Sequence, residues 1–353
     1  MRFFTKNNKQ LIGVDVTTTS VKVVELTRQQ GLFHLKNYGI APLPHGLVAD
    51  KRIVDVEAVS DILANLTRSL NLSTNQVATA VAGTSVISKV IEMDSDLNDV
   101  EREARIRLDA EQYIPYPLDE VNIDFDVLGP SANSPTMVDV LLVASRSENV
   151  DQCVELMSLA GLTTKVVDVE AYAIERAFGL IVDGLPVAGE AQHVALIDIG
   201  HNQTTLYIAR DGQFIYSREQ LFGGAQLTES IQSRYGLTPE EAMQSRRNAS
   251  LPADYHTDVL APFIDLVVQQ ITRALQFYFS TSQSHHINHI LLAGGTANLS
   301  NLASQVERKL GNPTSVANPF SHMTIAPHID TMALIADAPS LLAACGLALR
   351  SFD

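Results

Sequence analysis

Two short turns in the sequence combine an aspartate with hydroxyl-bearing or glycine residues, and such turns can bind phosphate groups. The first is Asp15-Val-Thr-Thr-Thr-Ser20, and Lys22 follows it closely. Exposed backbone amides and hydroxyls in this turn would cradle phosphates, and Lys22 would supply a counter-charge. Taken alone, the same residues also fit an ordinary polar hairpin.

The second turn is Asp198-Ile-Gly200-His-Asn-Gln-Thr204, in which Gly200 permits close approach of the backbone to a ligand. Both aspartates follow apolar runs and are expected at the ends of strands. A carboxylate in that place can hold a hydrated magnesium ion beside phosphate oxygens. Asp15 and Asp198 are therefore candidate metal-binding residues.

A third pattern is the glycine pair in Leu292-Ala-Gly294-Gly295-Thr296, directly after an apolar run. Paired glycines after a strand allow a flat base or ribose to lie against the backbone. By itself this motif is weak, and it also fits a simple loop.

The elements that would carry these turns occur twice in the chain. Alternating β-branched residues predict three strands between residues 11 and 40, and again between 194 and 217. Aligning Asp15 with Asp198 brings the two series together, which predicts a twofold domain repeat. Residues 85–144 show a strand, helix, strand, strand pattern, which predicts a small inserted sheet with one covering helix.

The composition excludes several classes of function. The 353 residues include 40 acidic and 25 basic ones, for a formal net charge of −15. That charge disfavours nucleic acid as a partner, because phosphate-backbone binding needs a basic footprint. Cys153 and Cys345 lie far apart among apolar neighbours, which indicates buried thiols in a reducing compartment. We find neither a signal peptide nor a membrane-spanning apolar run, so a cytoplasmic protein is expected.

Two other groups of residues are less informative. His285, His286 and His289 form an H-H-x-x-H pattern without a carboxylate at useful spacing, and we expect a surface loop there rather than a metal site. Arg246 and Arg247 would either approach a nucleotide or, as we expect, form a solvated helix end. The sequence contains no GxxxxGK[ST], HExxH or GxSxG motif.

The order of the two aspartate turns and the glycine pair resembles that of the actin-like ATPase superfamily. Within it, the insert with REARIRLDAEQYIPYP, together with LIGVDVTTTSVKVVEL, VALIDIGHNQTTLYIARDG and HILLAGGTANLSNLASQVERKLG, resembles the PilM family of type IV pilus machines. The resemblance covers almost the whole chain. It implies an α/β protein with the actin-like ATPase fold, two duplicated domains and a small FtsA-like inserted βαββ subdomain.

This resemblance implies four subdomains. They are a first actin-like domain (1A) at 1–84, 145–191 and 337–353, an inserted 1C-like subdomain at 85–144, a second actin-like domain (2A) at 192–222 and 285–336, and a helical lobe (2B) at 223–284.

It further implies ATP with Mg²⁺ in a cleft between the domains, with Asp15 and Asp198 at the metal. Glu170 matches the place where chaperone members of the superfamily keep a water-orienting glutamate, and it is the candidate catalytic residue. The alternative is a helix N-terminal acid that favours the helix dipole. The implied nucleotide-binding residues are Gly13, Asp15, Thr17, Thr18, Thr19, Ser20, Lys22, Asp198, Gly200, Gln203, Thr204, Gly223, Gly224, Gly294, Gly295 and Thr296.

The implied partner is the N-terminal cytoplasmic tail of the inner-membrane protein PilN, in a groove between the first subdomain and the insert. Other pilus platform proteins, motor ATPases and further copies of the chain remain open as partners. Membrane association is expected only through partners, at the inner membrane. The implied role is pilus biogenesis serving twitching motility or DNA uptake.

Two functions compete with this one. A sugar or acid kinase of the same superfamily would need a general base for its acceptor hydroxyl. An FtsA-like cell-division protein would anchor itself by a C-terminal amphipathic helix, which we do not find. Since Glu170 is the single plausible water-orienting group, we expect at most a slow ATPase that acts mainly as a nucleotide-binding scaffold.

Overall fold

The computed structural model describes residues 10–49, 51–185, 192–282 and 286–352. Three main sheets, two large and one small, are packed with helices. In chain order the strands are β1 Ile12–Val16, β2 Ser20–Gln29, β3 Leu32–Pro42, β4 Val48–Ala49, β5 Arg52–Ile53, β6 Gln76–Val81, β7 Val86–Asp94, β8 Val121–Pro130, β9 Met137–Arg146, β10 Thr163–Val169, β11 His193–Ile199, β12 Thr204–Arg210, β13 Gln213–Gln220, β14 His289–Ala293, β15 Thr314–Val316 and β16 Thr324–Ile325.

Side-chain caps set the starts of several helices. Asp55, Asn98 and Thr238 accept hydrogen bonds from first-turn amides, and the last two form reciprocal capping boxes with Glu101 and Glu241. The helices are α1 Val56–Ser69, α2 Asp99–Asp109, α3 Ser147–Leu159, α4 Glu170–Val182, α5 Gly224–Tyr235, α6 Pro239–Arg247, α7 Ala261–Thr281, α8 Leu302–Leu310, α9 Thr331–Asp337 and α10 Leu342–Leu349.

The two large sheets repeat one topology, which confirms the predicted duplication. The first has the order β10-β6-β1-β2-β3, extended by β16, and the second has the equivalent order β15-β14-β11-β12-β13. In each sheet the first two strands of the repeat are antiparallel, and the next strand along the sheet runs parallel to the first. Asp15 and Asp198 are each the penultimate residue of the repeat's first strand.

The segment between β6 and α3 forms its own antiparallel sheet, in the order β7-β9-β8. Ile106 of α2 shares a buried cluster with Met93, Val140 and Leu142 of this sheet. The order of elements along the chain confirms the predicted βαββ insert. The exact limits drawn for the four subdomains stay a prediction.

Helices α4 and α10 lie between the two large sheets. Phe178 of α4 and Cys345 of α10 share one core cluster with Leu26 of β2 and Leu196 of β11. Every residue of α10 is buried. Since one core joins both sheets, the positions of β1 and β11 relative to each other are set by packing.

Two glycines allow α10 to approach its neighbours closely. A Cβ on Gly13 of β1 would overlap the carbonyl oxygen of Ala344, and a Cβ on Gly346 would overlap the carbonyl oxygen of Ala173 in α4. No larger residue fits either position without a shift of backbone. Helix α10 is therefore wedged between β1 and α4.

In the part of the chain that the structure describes, no helix is by itself both long and apolar enough to cross a membrane. The segments Thr331–Ser340 and Leu342–Leu349 reach the required length and composition only as a pair, and they are bent by 90°.

Gly346→Ala should lower the free energy of unfolding by about 1–3 kcal/mol, because the added methyl group overlaps the backbone of α4. The matched control is Gly179→Ala, an exposed position in α4 where an added Cβ meets no atom within 4 Å. Alanine there should raise the free energy of unfolding by about 0.5–1 kcal/mol. Urea unfolding followed by circular dichroism measures both, and equal effects in the two variants would contradict the close packing of α10.

Candidate functional site

A cavity of about 1060 Å³ lies between the two large sheets, where β1 and β11 end. Both aspartate turns, the glycine pair and Glu170 contribute to its wall. The predicted nucleotide-binding residues that line it are Asp15, Thr17, Thr18, Thr19, Ser20, Lys22, Asp198, Gly200, Gln203, Gly224, Gly294, Gly295 and Thr296.

The two turns close with the same backbone hydrogen bond. Thr17 N donates to the carbonyl oxygen of Ser20 at 2.9 Å, and Gly200 N donates to that of Gln203 at 2.9 Å. In each turn the donor lies two residues after the aspartate. The hydroxyl of Thr17 adds a bond of 3.0 Å to the same Ser20 oxygen. The duplication thus extends to the geometry of the turns that face the cavity.

Backbone bonds hold the second turn against the start of α5. Gly224 N donates to the carbonyl oxygen of Gly200 at 2.9 Å, and Ala225 N donates to that of His201 at 2.8 Å. These bonds use amides that the helix leaves without an intrahelical acceptor. The second turn and α5 therefore form one connected wall of the cavity.

The glycine pair meets the second aspartate directly. Gly294 has a φ of +86°, and a Cβ there would overlap the carboxylate of Asp198. Glycine is required at this position both for its backbone conformation and for the close approach. Thr296 N donates to the carbonyl oxygen of Ile199 at 3.2 Å, which ties the loop after the pair to the end of β11.

The two aspartates differ in their charge environment. Asp15 forms an ion pair of 3.0 Å with Lys22, and both side chains are 11% exposed. Burial raises the pKa of Asp198 to about 6, and the nearby charge of Glu170 adds to the effect, while Lys22 and Lys51 oppose it. Asp198 thus carries a destabilised negative charge at neutral pH.

A lysine that sequence reasoning did not predict lies at the floor of the cavity. Lys51, in the turn between β4 and β5, forms an ion pair of 2.8 Å with Glu170, the first residue of α4. It lies 3.9 Å from Glu219 of β13. Burial lowers the pKa of Lys51, but the carboxylates of Glu170, Glu219 and Asp198 outweigh burial and raise it. The lysine connects a helix that follows the first sheet with an edge strand of the second.

The sequence matches one known protein family over almost its whole length. The sequence model of the family described as "Type IV pilus assembly protein PilM" matches residues 13–352. The chain belongs to the PilM family. It is therefore a type IV pilus assembly protein, and the kinase and FtsA-like alternatives are not favoured.

Solved structures agree with this membership. A PilM-PilN type IV pilus biogenesis complex matches with a TM-score of 0.80 and 26% identity, over 98% of this chain and 99% of that one. The ethanolamine utilization protein EutJ from Carboxydothermus hydrogenoformans matches with a TM-score of 0.57 and 17% identity, over 96% of this chain and 89% of that one. The latter match concerns the fold alone. The prediction of an actin-like ATPase fold is confirmed.

In this PilM-family chain, three predicted residues lie outside the wall of the cavity. Gly13 faces α10, where its missing side chain leaves room for Ala344. The hydroxyl of Thr204 donates to the carbonyl oxygen of Phe222 at 2.7 Å. A Cβ on Gly223 would lie 2.5 Å from the carbonyl oxygen of Gly200. Each therefore has a packing role where nucleotide contact was predicted.

The cavity also contains basic residues of the helical lobe. Arg246 and Arg247 both line it, and Arg246 is half-buried, so the expectation of a solvated helix end is wrong for Arg246. Burial lowers the pKa of Arg246. Burial lowers the pKa of His201, and the charges of Arg246 and His45 add to the effect. No sequence motif marks Lys51, Glu219 or His45, since short hairpins and edge strands carry no spacing signal.

The histidine cluster is not a surface loop as a whole. His289 is buried in β14, with its Nε2 2.7 Å from the hydroxyl of Ser315, whereas His286 is exposed and His285 lies outside the described residues. Within the described ranges, no three His, Cys, Asp or Glu side chains gather as a metal-binding group.

A second cavity, of about 490 Å³, shares part of its lining with the first. It is lined by Val86 and Ser88 of β7, by Tyr172 of α4 and by residues of β13. The hydroxyls of Ser88 and Tyr172 are 2.5 Å apart. Three residues, Glu170, Thr205 and Glu219, line both cavities. The insert, the first domain and the edge of the second sheet meet at this place.

Asp198→Asn should stabilise the ligand-free protein at about pH 8. The raised pKa means that the folded protein binds the proton more tightly than the unfolded chain, so the ionised carboxylate costs stability above about pH 6 and the cost vanishes near pH 4. A shift of about two units corresponds to at most about 3 kcal/mol. Thermal unfolding in a metal chelator at about pH 8 and pH 4.5 measures the difference.

The control is Asp61→Asn on the exposed face of α1, which should behave like the wild type at both pH values. A loss of stability in Asp198→Asn at about pH 8, or a gain of the same size at both pH values, would show that the carboxylate is not strained by its surroundings.

Proposed function

We propose that this type IV pilus assembly protein binds ATP with Mg²⁺ in the large cavity and holds the N-terminal cytoplasmic tail of PilN at the insert. The main support for nucleotide binding is the pair of aspartate turns. They close with the same backbone hydrogen bond, and they face one cavity from two duplicated sheets. The resemblance between this chain and the protein of the PilM-PilN complex supports the partner.

The side chains in the cavity wall are of the types that bind Mg²⁺ together with a triphosphate. Asp15 and Asp198 supply carboxylate oxygens, which Mg²⁺ prefers, and the ion usually keeps several waters and phosphate oxygens as its other ligands. When bound, Mg²⁺ would neutralise charge on the phosphate oxygens. The turns at 17–20 and 200–203 would then donate backbone hydrogen bonds to the phosphates, and the first turn would add hydroxyl groups.

The adenosine would lie between the second sheet and the helical lobe. Gly294 and Gly295 line the cavity without side chains, and the longer side chains of Met243 and Arg246 of α6 line it as well. A flat base needs this kind of slot, with a smooth backbone surface facing longer side chains.

Glu170 would orient a water near the terminal phosphate. In the structure its carboxylate forms an ion pair with Lys51. We propose slow turnover at most, because Glu170 is the single water-orienting group that we assign, and a scaffold role in which the bound nucleotide stabilises one arrangement of the domains.

The second cavity is the proposed groove for the tail of PilN. It has the location that the resemblance implies, beside the insert and the first domain, and β13 adds a third wall. Edge strands such as β7 and β13 can pair with an extended peptide through their free backbone groups. Tyr172 and Tyr216 offer aromatic surface for aliphatic side chains of the tail. Recruitment through PilN would place the protein at the cytoplasmic face of the inner membrane.

Asp198→Ala should weaken binding of Mg-ATP at least about tenfold, or about 1.4 kcal/mol, because it removes one of the two carboxylates assigned to the metal. Isothermal titration calorimetry with Mg-ATP measures the change, and Asp61→Ala on the exposed face of α1 is the control. Wild-type affinity in Asp198→Ala would remove Asp198 from the site.

Ser88→Trp should weaken binding of a labelled peptide that copies the N-terminal tail of PilN at least about tenfold, because the indole fills the second cavity. The matched control is Ala132→Trp, which is exposed in the loop before β9. Affinity for Mg-ATP should stay unchanged in both variants, which also shows that both are folded.

A variant in which a short linker replaces residues 85–144 gives a second test of the groove. Normal peptide binding by that folded variant, or by Ser88→Trp, would mean that the tail of PilN binds elsewhere on the protein.

A further inference from the structure

The turn that carries Lys51 has an uncommon backbone. The residue has a φ of +61°, in the left-handed region that residues other than glycine seldom adopt. It connects the two-residue strands β4 and β5, which pair at Val48–Ile53 and Ala49–Arg52. This small hairpin belongs to neither large sheet, and it directs one lysine across the floor of the cavity.

The lysine is placed among carboxylates from both halves of the protein. Its Nζ lies 2.8 Å from the carboxylate of Glu170 and 3.9 Å from that of Glu219, and its side chain is 29% exposed. The other lysine of the cavity, Lys22, is more deeply buried and is paired at 3.0 Å with Asp15 on the neighbouring strand. Of the lysines among the described residues that line the cavity, Lys51 thus has the more accessible side chain.

Lys51 also has the freedom to change partners. The lysine side chain is a flexible four-carbon stem with a compact charge and three donors, unlike the fixed fork of arginine. Phosphate oxygens with more than one negative charge attract an ammonium group at least as strongly as a single carboxylate does. An anion that enters beside Glu170 would therefore compete for Lys51.

We propose that Lys51 contacts the terminal phosphate of bound ATP, exchanging its carboxylate partners for phosphate oxygens, and so distinguishes ATP from ADP. This inference rests on the proposed nucleotide binding, because the position of the terminal phosphate follows from the two turns and from Glu170. With ADP there is no terminal phosphate, and Lys51 stays with Glu170 and Glu219. The interdomain contact between Lys51 and Glu219 then exists only without ATP.

The exchange also changes the state of Glu170. While Lys51 is bound to it, one carboxylate oxygen of Glu170, Oε2, has an ammonium partner at 2.8 Å. Once Lys51 turns to phosphate, Oε2 loses that partner and can accept a hydrogen bond from a water. Lys51 would thereby bind the third phosphate and, by leaving Glu170, free an oxygen of the carboxylate that we assign to orient water.

The experiment compares the dissociation constants of Mg-ATP and Mg-ADP in Lys51→Met, Lys51→Arg and the wild type by calorimetry. We expect Lys51→Met to weaken ATP binding at least about tenfold and to change ADP binding less than about twofold. Lys51→Arg should keep most of the ATP affinity, because it keeps the charge. The control is Lys165→Met, which removes an exposed lysine on β10 and should change neither constant.

An equal loss for ATP and ADP in Lys51→Met would overturn the proposal, since it would indicate a role in the fold or in general charge balance. Unchanged ATP affinity would overturn it as well. Retained ADP binding serves as the internal check that Lys51→Met is folded. If the wild type binds neither nucleotide, the proposed function itself fails, which is a different result from equal losses in a protein that binds both.

Discussion

The close contact of α10 with β1 and α4 is the constraint on which the candidate site depends. Gly13 and Gly346 leave no space for side chains, so backbone meets backbone on both sides of the helix. Asp15 lies near the end of β1, and Glu170 begins α4. Because α10 packs closely against both β1 and α4, it also sets the distance between Asp15, which we assign to the metal, and Glu170, which we assign to the water.

Charge balance in the cavity follows from this framework. Packing brings Asp15, Asp198, Glu170 and Glu219 into one enclosed space, where four carboxylates would repel one another. Lys22 and Lys51 compensate part of that repulsion, but burial, together with the charge of Glu170, still keeps the pKa of Asp198 raised. A cation that binds at these carboxylates would relieve part of this repulsion, which supports the proposal of a metal ion beside the nucleotide.

The sequence predicted what depends on local pattern and repetition. The twofold repeat and the βαββ insert both follow from the pattern of residue types along the chain. Gly13 was predicted to contact nucleotide because sequence alone cannot tell whether a missing side chain makes room for a ligand or for a helix, and the structure places α10 against it. Lys51 was missed because its contact with Glu170 joins residues far apart in the chain, and its two-residue strands have no periodicity.

Glu170, Thr205 and Glu219 line both cavities and therefore lie between them. A substitution at any of these positions reshapes two compartments at once. Such residues are subject to two selective pressures during evolution, whereas a residue that lines one compartment is subject to one. Drift at these three positions should therefore be slower than at their neighbours, and changes there should come with compensating changes in the lining of both cavities.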